Sequence, residues 1–140
     1  LAVLRGHFPG TLACVFGCGG ERDRGKRADM GRVAATVADR VVVSDDNPRG
    51  EDGDRIVADI LAGVPANADV RVERDRARAI EACCRDARAG DVVLLAGKGH
   101  EDYQEQAHGR VPYSDVEVAR RLTATDAAAG DGEGPLCSSG

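Results

Sequence analysis

Short apolar runs alternate along this chain with segments whose apolar residues recur at helical spacing. Three runs have the length and β-branched content of buried strands, and a shorter one suits a sheet edge: they are 11–16, 40–44, 91–96 and the short run 70–72. Helical periodicity begins near residues 27, 56, 77 and 114. This alternation predicts right-handed crossovers and a mostly parallel sheet with helices on both faces. The predicted fold class is α/β.

Size and composition fit one such domain. The chain has 140 residues, of which 42% are apolar and 3% aromatic, so one core can be built, mainly from Val, Leu, Ile and Ala. A net charge of −5 without a basic block argues against a general nucleic-acid binder. No apolar run approaches the roughly 20 residues that cross a bilayer, so we expect no membrane partner. The five cysteines lie mostly in predicted elements, which favours buried thiols in a reduced, cytoplasmic setting and no metal site.

The folded domain is expected over residues 1–124. Ser114 and Glu117 have capping-box spacing at the start of the last predicted helix. Residues 125–140 are rich in Ala, Gly, Asp and Ser without periodicity, which predicts a disordered tail. Because the chain begins with Leu1 rather than Met, we expect it to be a piece of a longer protein.

A polar loop follows each of the three strong strands. These are the glycine loop (17–27), the proline loop (45–50) and the lysine loop (97–102). Ligands bind outside the carboxyl ends of parallel strands, so we expect the loops to converge on one crevice. That crevice would hold three cations, an anion and an amide: Arg22, Arg49, Lys98, Glu101 and Asn47. Such a mixture suits a zwitterion with carboxylates and an ammonium, since a purely anionic ligand would not require Glu101.

The glycine loop nearly matches a phosphate-binding P-loop. Gly20, Gly25 and Lys26 fit the pattern, but Arg27 stands where a Ser or Thr would ligate magnesium, and the intervening residues are charged. We favour a tight turn that aims Arg22 into the crevice. A nucleotide-binding enzyme that uses this loop is kept as an alternative.

The other two loops carry weaker signals. Pro48 fixes φ and would pre-orient Asn47 and Arg49 at low entropy cost. Two glycines in the lysine loop would let its backbone approach a ligand. A lone loop histidine such as His100 is more often a surface residue than a base.

Over about residues 1–122 these motifs resemble the C-terminal domain of the Mur ligase family. The strings that carry the resemblance are VFGCGG (15–20), RD (22–23), GKR (25–27), MG (30–31), DDNPR (45–49) and AGKGHEDYQ (96–104). The resemblance implies a Rossmann-like fold and a cytoplasmic, ATP-dependent ligase of peptidoglycan synthesis. Such a ligase activates the D-glutamate carboxylate of UDP-MurNAc-L-Ala-D-Glu as an acyl phosphate and adds the third stem-peptide residue. Glu21 departs from the family pattern, which usually has Asp there.

The string Asp-Asn-Pro-Arg resembles the signature of members that add meso-diaminopimelate rather than lysine. By that resemblance, the residues that would bind meso-diaminopimelate are Arg22, Asn47, Pro48, Arg49, Gly50, Gly97 and Glu101, supported by Asp46, Lys98 and His100. Diaminopimelate has one carboxylate more than lysine, which Arg49 can pair bidentately while Glu101 takes the ammonium. No catalytic residue and no metal ligand is implied within the chain.

The resemblance places the ATP-binding loop, the magnesium site and the UDP-sugar domain before Leu1. We therefore expect ATP and Mg²⁺ to serve the full-length enzyme, held mainly by a missing central domain, and no cofactor on this chain. The missing N-terminal and central domains would be its partners, and the chain alone would be inactive. The alternatives are a stand-alone module for a zwitterionic amino acid and a lysine-adding ligase of the same family.

Overall fold

The elements follow the predicted alternation of strand and helix. The computed structural model of the chain describes residues 9–128 and 136–139. The strands are β1 (Leu12–Phe16), β2 (Arg40–Val43), β3 (Val70–Val72), β4 (Val92–Leu95), β5 (Tyr103–Gln106), β6 (Gly109–Pro112) and β7 (Leu136–Ser139). The helices are α1 (Gly25–Val37), α2 (Gly53–Leu61), α3 (Arg76–Asp86) and α4 (Asp115–Ala128).

Five strands form one parallel sheet in the order β3-β2-β1-β4-β7. In its centre, Val15 of β1 lies opposite Val42 of β2 and Leu95 of β4. The chain moves outward from β1 to β3 and then returns to the other side of β1 with β4. The strand order therefore reverses between β1 and β4, the point where ligands bind in open parallel sheets. The predicted α/β class and the edge position of 70–72 are confirmed.

Apolar side chains fill both faces of the sheet because successive strand residues point to opposite sides. Cys14 and Phe16 pack with Ile60 of α2 on one face, and Val15 packs with Ile80 of α3 on the other. Val15, Ile60 and Ile80 are each 0% exposed. Helices thus cover both faces, as predicted.

Side-chain caps fix where several helices begin. The carboxylate of Asp52 accepts a hydrogen bond from the Asp54 N–H at 3.0 Å, so α2 begins just after Asp52. At the start of α4, the Ser114 hydroxyl accepts from the Glu117 N–H at 3.2 Å, the bond that the capping-box spacing predicts. These bonds satisfy N–H groups that have no partner inside a helix.

Some of the apolar residues of helix α1 lie on the surface rather than in the core. Met30 and Val33 are 45% and 46% exposed, whereas Gly31 and Ala34 face the core. A Cβ on Gly31 would overlap the carbonyl oxygen of Ile60. Close packing of α1 on α2 therefore requires the small residues inside and leaves the larger ones on the surface.

Two parts of the chain differ from the sequence expectations. Strands β5 and β6 pair as an antiparallel hairpin. The sequence did not predict it, because these segments show no alternation of apolar and polar residues. Helix α4 continues to Ala128 and β7 pairs with β4, which differs from the disordered tail expected over 125–140. A strand beside β4 pairs backbone groups that a sheet edge leaves open. Residues 129–135 and 140 of that tail, and residues 1–8 of the expected domain, lie outside the described residues.

None of the helices in the described ranges is both long enough and apolar enough to cross a membrane.

Candidate functional site

The glycine loop and the proline loop are in direct backbone contact. The N–H of Gly20 donates to the carbonyl oxygen of Asn47 at 2.8 Å, and a Cβ on Gly20 would overlap the carbonyl oxygen of Pro48. The positive φ of the turn falls not on this glycine but on Glu21, at 58°. Gly20 is therefore needed for close approach of two chain segments, whereas the sequence suggested a turn that aims Arg22.

A buried lysine joins the proline loop to the lysine loop. Lys98 is 2% exposed, and its Nζ donates to Asn47 Oδ1 and to the carbonyl oxygen of Tyr103, each at 3.0 Å. The carboxylates of Asp46 and Glu101 lie 3.4 and 3.6 Å from the same nitrogen. Lys98 is therefore not the open cation that the sequence suggested, because a charge buried this deeply needs its partners within the protein.

Two carboxylate oxygens beside Lys98 have no hydrogen-bond donor among the described residues. They are Asp46 Oδ1 and Glu101 Oε2, and both are buried. Two carboxylates face the one ammonium of Lys98, so negative charge is in excess there. Buried acceptors without donors are uncommon and costly. Both oxygens face the Lys98 ammonium at ion-pair distance, and each keeps hydrogen-bond capacity that Lys98 does not use.

Arg49 lies two residues beyond Asn47 in a constrained backbone conformation. Its φ is 54°, in the left-handed region that non-glycine residues rarely adopt. Its Nε lies 2.7 Å from Glu105 Oε2, and its Nη1 donates to the carbonyl oxygen of Gly20 at 3.0 Å. These contacts use Nε and Nη1. The remaining nitrogen, Nη2, can donate to a ligand carboxylate. The expected two-bond pairing with Arg49 therefore competes with Glu105.

The Arg49 guanidinium and the stem of the Arg22 side chain both lie against Gly19. A Cβ on Gly19 would lie 2.9 Å from Arg49 Nη1 and 3.2 Å from Arg22 Cγ, so the missing side chain makes room for both arginines. Asn47 connects this positive pair to the carboxylates beside Lys98. Its carbonyl oxygen lies 3.4 Å from Arg49 Nη1, and its Oδ1 accepts from Lys98. The two charge groups therefore occupy one edge of the sheet.

The other predicted residues lie in the same loops. Gly97, with φ +104°, and His100 are exposed in the lysine loop, and Gly50 is exposed in the proline loop. The carbonyl oxygen of Pro48 accepts from the Glu51 N–H at 3.1 Å. The structure thus brings the predicted residues of all three loops to the carboxyl edge, with different degrees of exposure.

Strand β5 supplies site contacts that the sequence did not predict. The Glu105 N–H donates to Asn47 Oδ1 at 2.9 Å, and Gln104 Nε2 donates to the carbonyl oxygen of Asp46 at 2.8 Å. Burial raises the pKa of Glu105, but the charges of Arg49 and Arg110 outweigh it and lower that pKa, so Glu105 is ionised at neutral pH. The available signal was the glycine at 109, typical of a hairpin turn.

Arg27 excludes a P-loop geometry for the glycine loop. It is 1% exposed, and its guanidinium donates to Glu51 at 2.7 and 2.9 Å, to Asp59 at 2.9 Å and to the carbonyl oxygen of Gly19 at 3.1 Å. The residue in the place of a magnesium-binding hydroxyl instead fixes the loop to α2. Within the described ranges, no group of three or more His, Cys, Asp or Glu side chains could hold a metal ion. The glycine loop, with Arg27 held by carboxylates, therefore does not fit a magnesium-binding P-loop.

An apolar cavity of about 380 Å³ opens beside the glycine and lysine loops, between α1 and the ends of β1 and β4. Met30, Val33 and Cys14 are among its lining residues. Burial raises the pKa of Cys14 to about 12 and that of Cys18 to about 11, so both thiols stay protonated. Cys14, Cys18, Cys83 and Cys84 are buried, as predicted for small core residues.

Comparison with known proteins gives concordant matches. The family model "Mur ligase, glutamate ligase domain" matches residues 1–99. A UDP-N-acetylmuramoyl-L-alanyl-D-glutamate–2,6-diaminopimelate ligase of Xylella fastidiosa is 61% identical over 124 residues, covering 89% of this chain and 25% of the relative. The ligase of that name from Parasynechococcus marenigrum is 56% identical over 121 residues, covering 86% of this chain and 24% of the relative.

A solved structure of a ligase with that name superposes with a TM-score of 0.83 at 41% identity, covering 89% of this chain and 26% of that one. The chain thus spans about a quarter of the length of the relatives that it matches.

Proposed function

We infer that this chain, which belongs to the Mur ligase family as a glutamate ligase domain, binds the incoming diamino acid for a larger ligase. The intact protein would add meso-diaminopimelate to UDP-MurNAc-L-Ala-D-Glu in peptidoglycan synthesis, in the cytoplasm. The relatives named above carry that substrate in their names. ATP and Mg²⁺ would act in other domains of the intact protein, since the glycine loop does not fit them. The present chain would not catalyse the reaction alone.

One observation carries the substrate assignment: two arginines share one edge of the sheet with two carboxylates that face a single lysine ammonium. Glu101 Oε2 and Asp46 Oδ1 are buried acceptors without a donor, which suits a ligand ammonium. Arg22 and Arg49 flank Gly19 and suit a ligand carboxylate. Diaminopimelate carries an ammonium and a carboxylate at each end, whereas lysine lacks the second carboxylate. A lysine at this site would leave an arginine without its partner, which disfavours it.

Within this proposal, the chain's own residues bind and orient the amino acid. Asn47, Pro48, Gly50 and Gly97 would shape the walls of the site through backbone and amide contacts. Lys98 would hold Asn47 and Glu101 in place rather than touch the ligand, with Asp46 beside it. His100 would lie at the exposed rim.

The test is Arg49→Ala in the intact protein, with KM measured separately for diaminopimelate and for ATP. A charge-assisted hydrogen bond contributes about 1.5–3 kcal/mol, so KM for diaminopimelate should rise about 10- to 100-fold. KM for ATP should stay within about twofold, because of the two substrates Arg49 would touch only the amino acid. Lysine, which lacks the second carboxylate, should gain relative to diaminopimelate in the variant.

Arg40→Ala is the matched control, since Arg40 begins the strand that the proline loop follows but lies at its opposite end. It should leave both KM values unchanged. Equal rises for both substrates in Arg49→Ala would contradict the assignment. Preference of the unaltered protein for lysine would favour the lysine-adding alternative instead.

A further inference from the structure

A buried arginine outside the three loops connects two of them at their bases. Arg76 is the first residue of α3 and is 2% exposed. Its Nη2 donates to the carbonyl oxygen of Ala96 at 2.9 Å, and its Nη1 donates to that of Asp45 at 3.4 Å. Asp45 begins the proline loop and Ala96 immediately precedes the lysine loop. One side chain therefore touches the bases of both loops.

Asp115 fixes the orientation of this guanidinium. Its Oδ1 accepts from Arg76 Nε and its Oδ2 from Arg76 Nη2, each at 2.8 Å, and Asp115 is 0% exposed. The hydroxyl of Tyr113 donates to the same Oδ1 at 2.7 Å. The ring of Tyr113 lies 5.8 Å from Lys98 Nζ, so the network reaches the floor of the candidate site.

We propose that Arg76, held by Asp115, is a positioning residue that sets the spacing between the proline loop and the lysine loop. Strands β2 and β4 lie on either side of β1, so the two bases are separated by about 9–10 Å, twice the strand spacing. A planar guanidinium can bridge two carbonyls and a carboxylate at once, whereas a lysine ammonium presents one point charge. Arg76 itself would not touch the ligand.

The inference rests on the proposed function, because the spacing matters if the ligand contacts both loops. Asn47 and Arg49 belong to one loop and Glu101 to the other. A displacement of about 1 Å between groups that hold one ligand can reduce productive binding by up to 100-fold. Through Arg76, α3 thus sets the distance between two loops of a site that the helix itself does not line.

A buried ion pair is by itself weak evidence for a stabilising role. Replacement of a buried ion pair by apolar residues of similar volume is often neutral or stabilising. The double variant Arg76→Met/Asp115→Leu should therefore keep the fold while it removes the bonds to Asp45 and Ala96. Arg76→Lys keeps the charge but not the planar fork.

The experiment measures KM for diaminopimelate, KM for ATP and kcat of the intact protein for both variants. Hydrogen exchange of the backbone amides of residues 45–50, except Pro48, and of residues 97–102 is measured alongside. Ile80→Ala is the matched control, since Ile80 lies one turn further along α3, is fully buried and has no part in the loop contacts. Its thermal midpoint should fall with no change in either KM.

We expect a rise of about tenfold or more in KM for diaminopimelate in the double variant, a smaller rise in Arg76→Lys and little change for ATP. The loop amides should exchange faster than in Ile80→Ala. Unchanged exchange and an unchanged KM for diaminopimelate in folded variants would overturn the inference, as would equal rises for both substrates. If the unaltered protein does not use diaminopimelate but the loops still exchange faster, the proposed function fails while the positioning role stands.

Discussion

Arg27→Met would test whether the buried arginine of the glycine loop holds that loop to α2. The change removes three hydrogen bonds to carboxylates and one to the carbonyl oxygen of Gly19. Removing one partner of a buried ion pair costs about 3–5 kcal/mol. Glu51 and Asp59 keep 17% and 27% of their side chains exposed, so water can recover part of this loss. We therefore expect a loss of about 2–4 kcal/mol in the free energy of unfolding.

Denaturant unfolding of the 140-residue chain at neutral pH, together with thermal unfolding, measures this loss. For a domain of this size, each kcal/mol lowers Tm by about 2–4 °C. Arg40→Met is the control, because Arg40 pairs with Asp69 and Asp86 at 3.3 and 3.4 Å on the partly exposed surface. Pairs of that kind contribute about 1 kcal/mol at most.

The effect of Arg27→Met should also depend on pH in a defined direction. Hydrogen bonds from Arg27, and after them the bond from the Glu21 N–H, lower the pKa of Glu51 from 4.5 to about 2. A carboxyl whose pKa is lower in the folded than in the unfolded chain stabilises the fold at pH values above the unfolded pKa. That stabilisation is lost as the pH falls towards the folded pKa. The difference in the free energy of unfolding between the unaltered chain and Arg27→Met should therefore decrease as the pH falls from 4.5 to about 2. A loss no larger than that of Arg40→Met, or a difference independent of pH, would refute this reasoning.

Two further predictions concern the close approach of Gly20 to the proline loop and the burial of two cysteines. Gly20→Ala should lower Tm markedly, because its Cβ would overlap the carbonyl oxygen of Pro48. Gly25→Ala is the control and should be tolerated, since its Cβ would meet one flexible side-chain atom at 3.3 Å. Equal thermal midpoints for the two variants would argue against the loop contact. Cys14 and Cys18, with pKa values raised by burial to about 12 and 11, should alkylate slowly at pH 8 in the native chain and quickly after unfolding. Rapid native alkylation of Cys14, measured by peptide mass analysis, would contradict its burial.

Local pattern was sufficient for the layered architecture. Runs of Val, Leu and Ile predict the strands, because strands buried on both faces are apolar throughout. The helical spacing between the runs predicts the helices, because burial of one helix face imposes a period on its residues. The loops at the carboxyl edge follow from the same order of elements. The hairpin was not predicted because β5 is polar and only partly buried and β6 is exposed, so burial imposes no period on either strand.

The sequence by itself determined which residues gather at the carboxyl edge, since parallel strands end there in a fixed order. Only the tertiary structure decided what each charge does. Lys98 bonds to Asn47, 51 residues away, and Arg76 to Asp115, 39 residues away. Arg49 shares its guanidinium with Glu105 on an unpredicted hairpin. A charged residue reads the same in sequence whether it faces solvent, a ligand or a buried partner, because its role depends on contacts that folding alone creates.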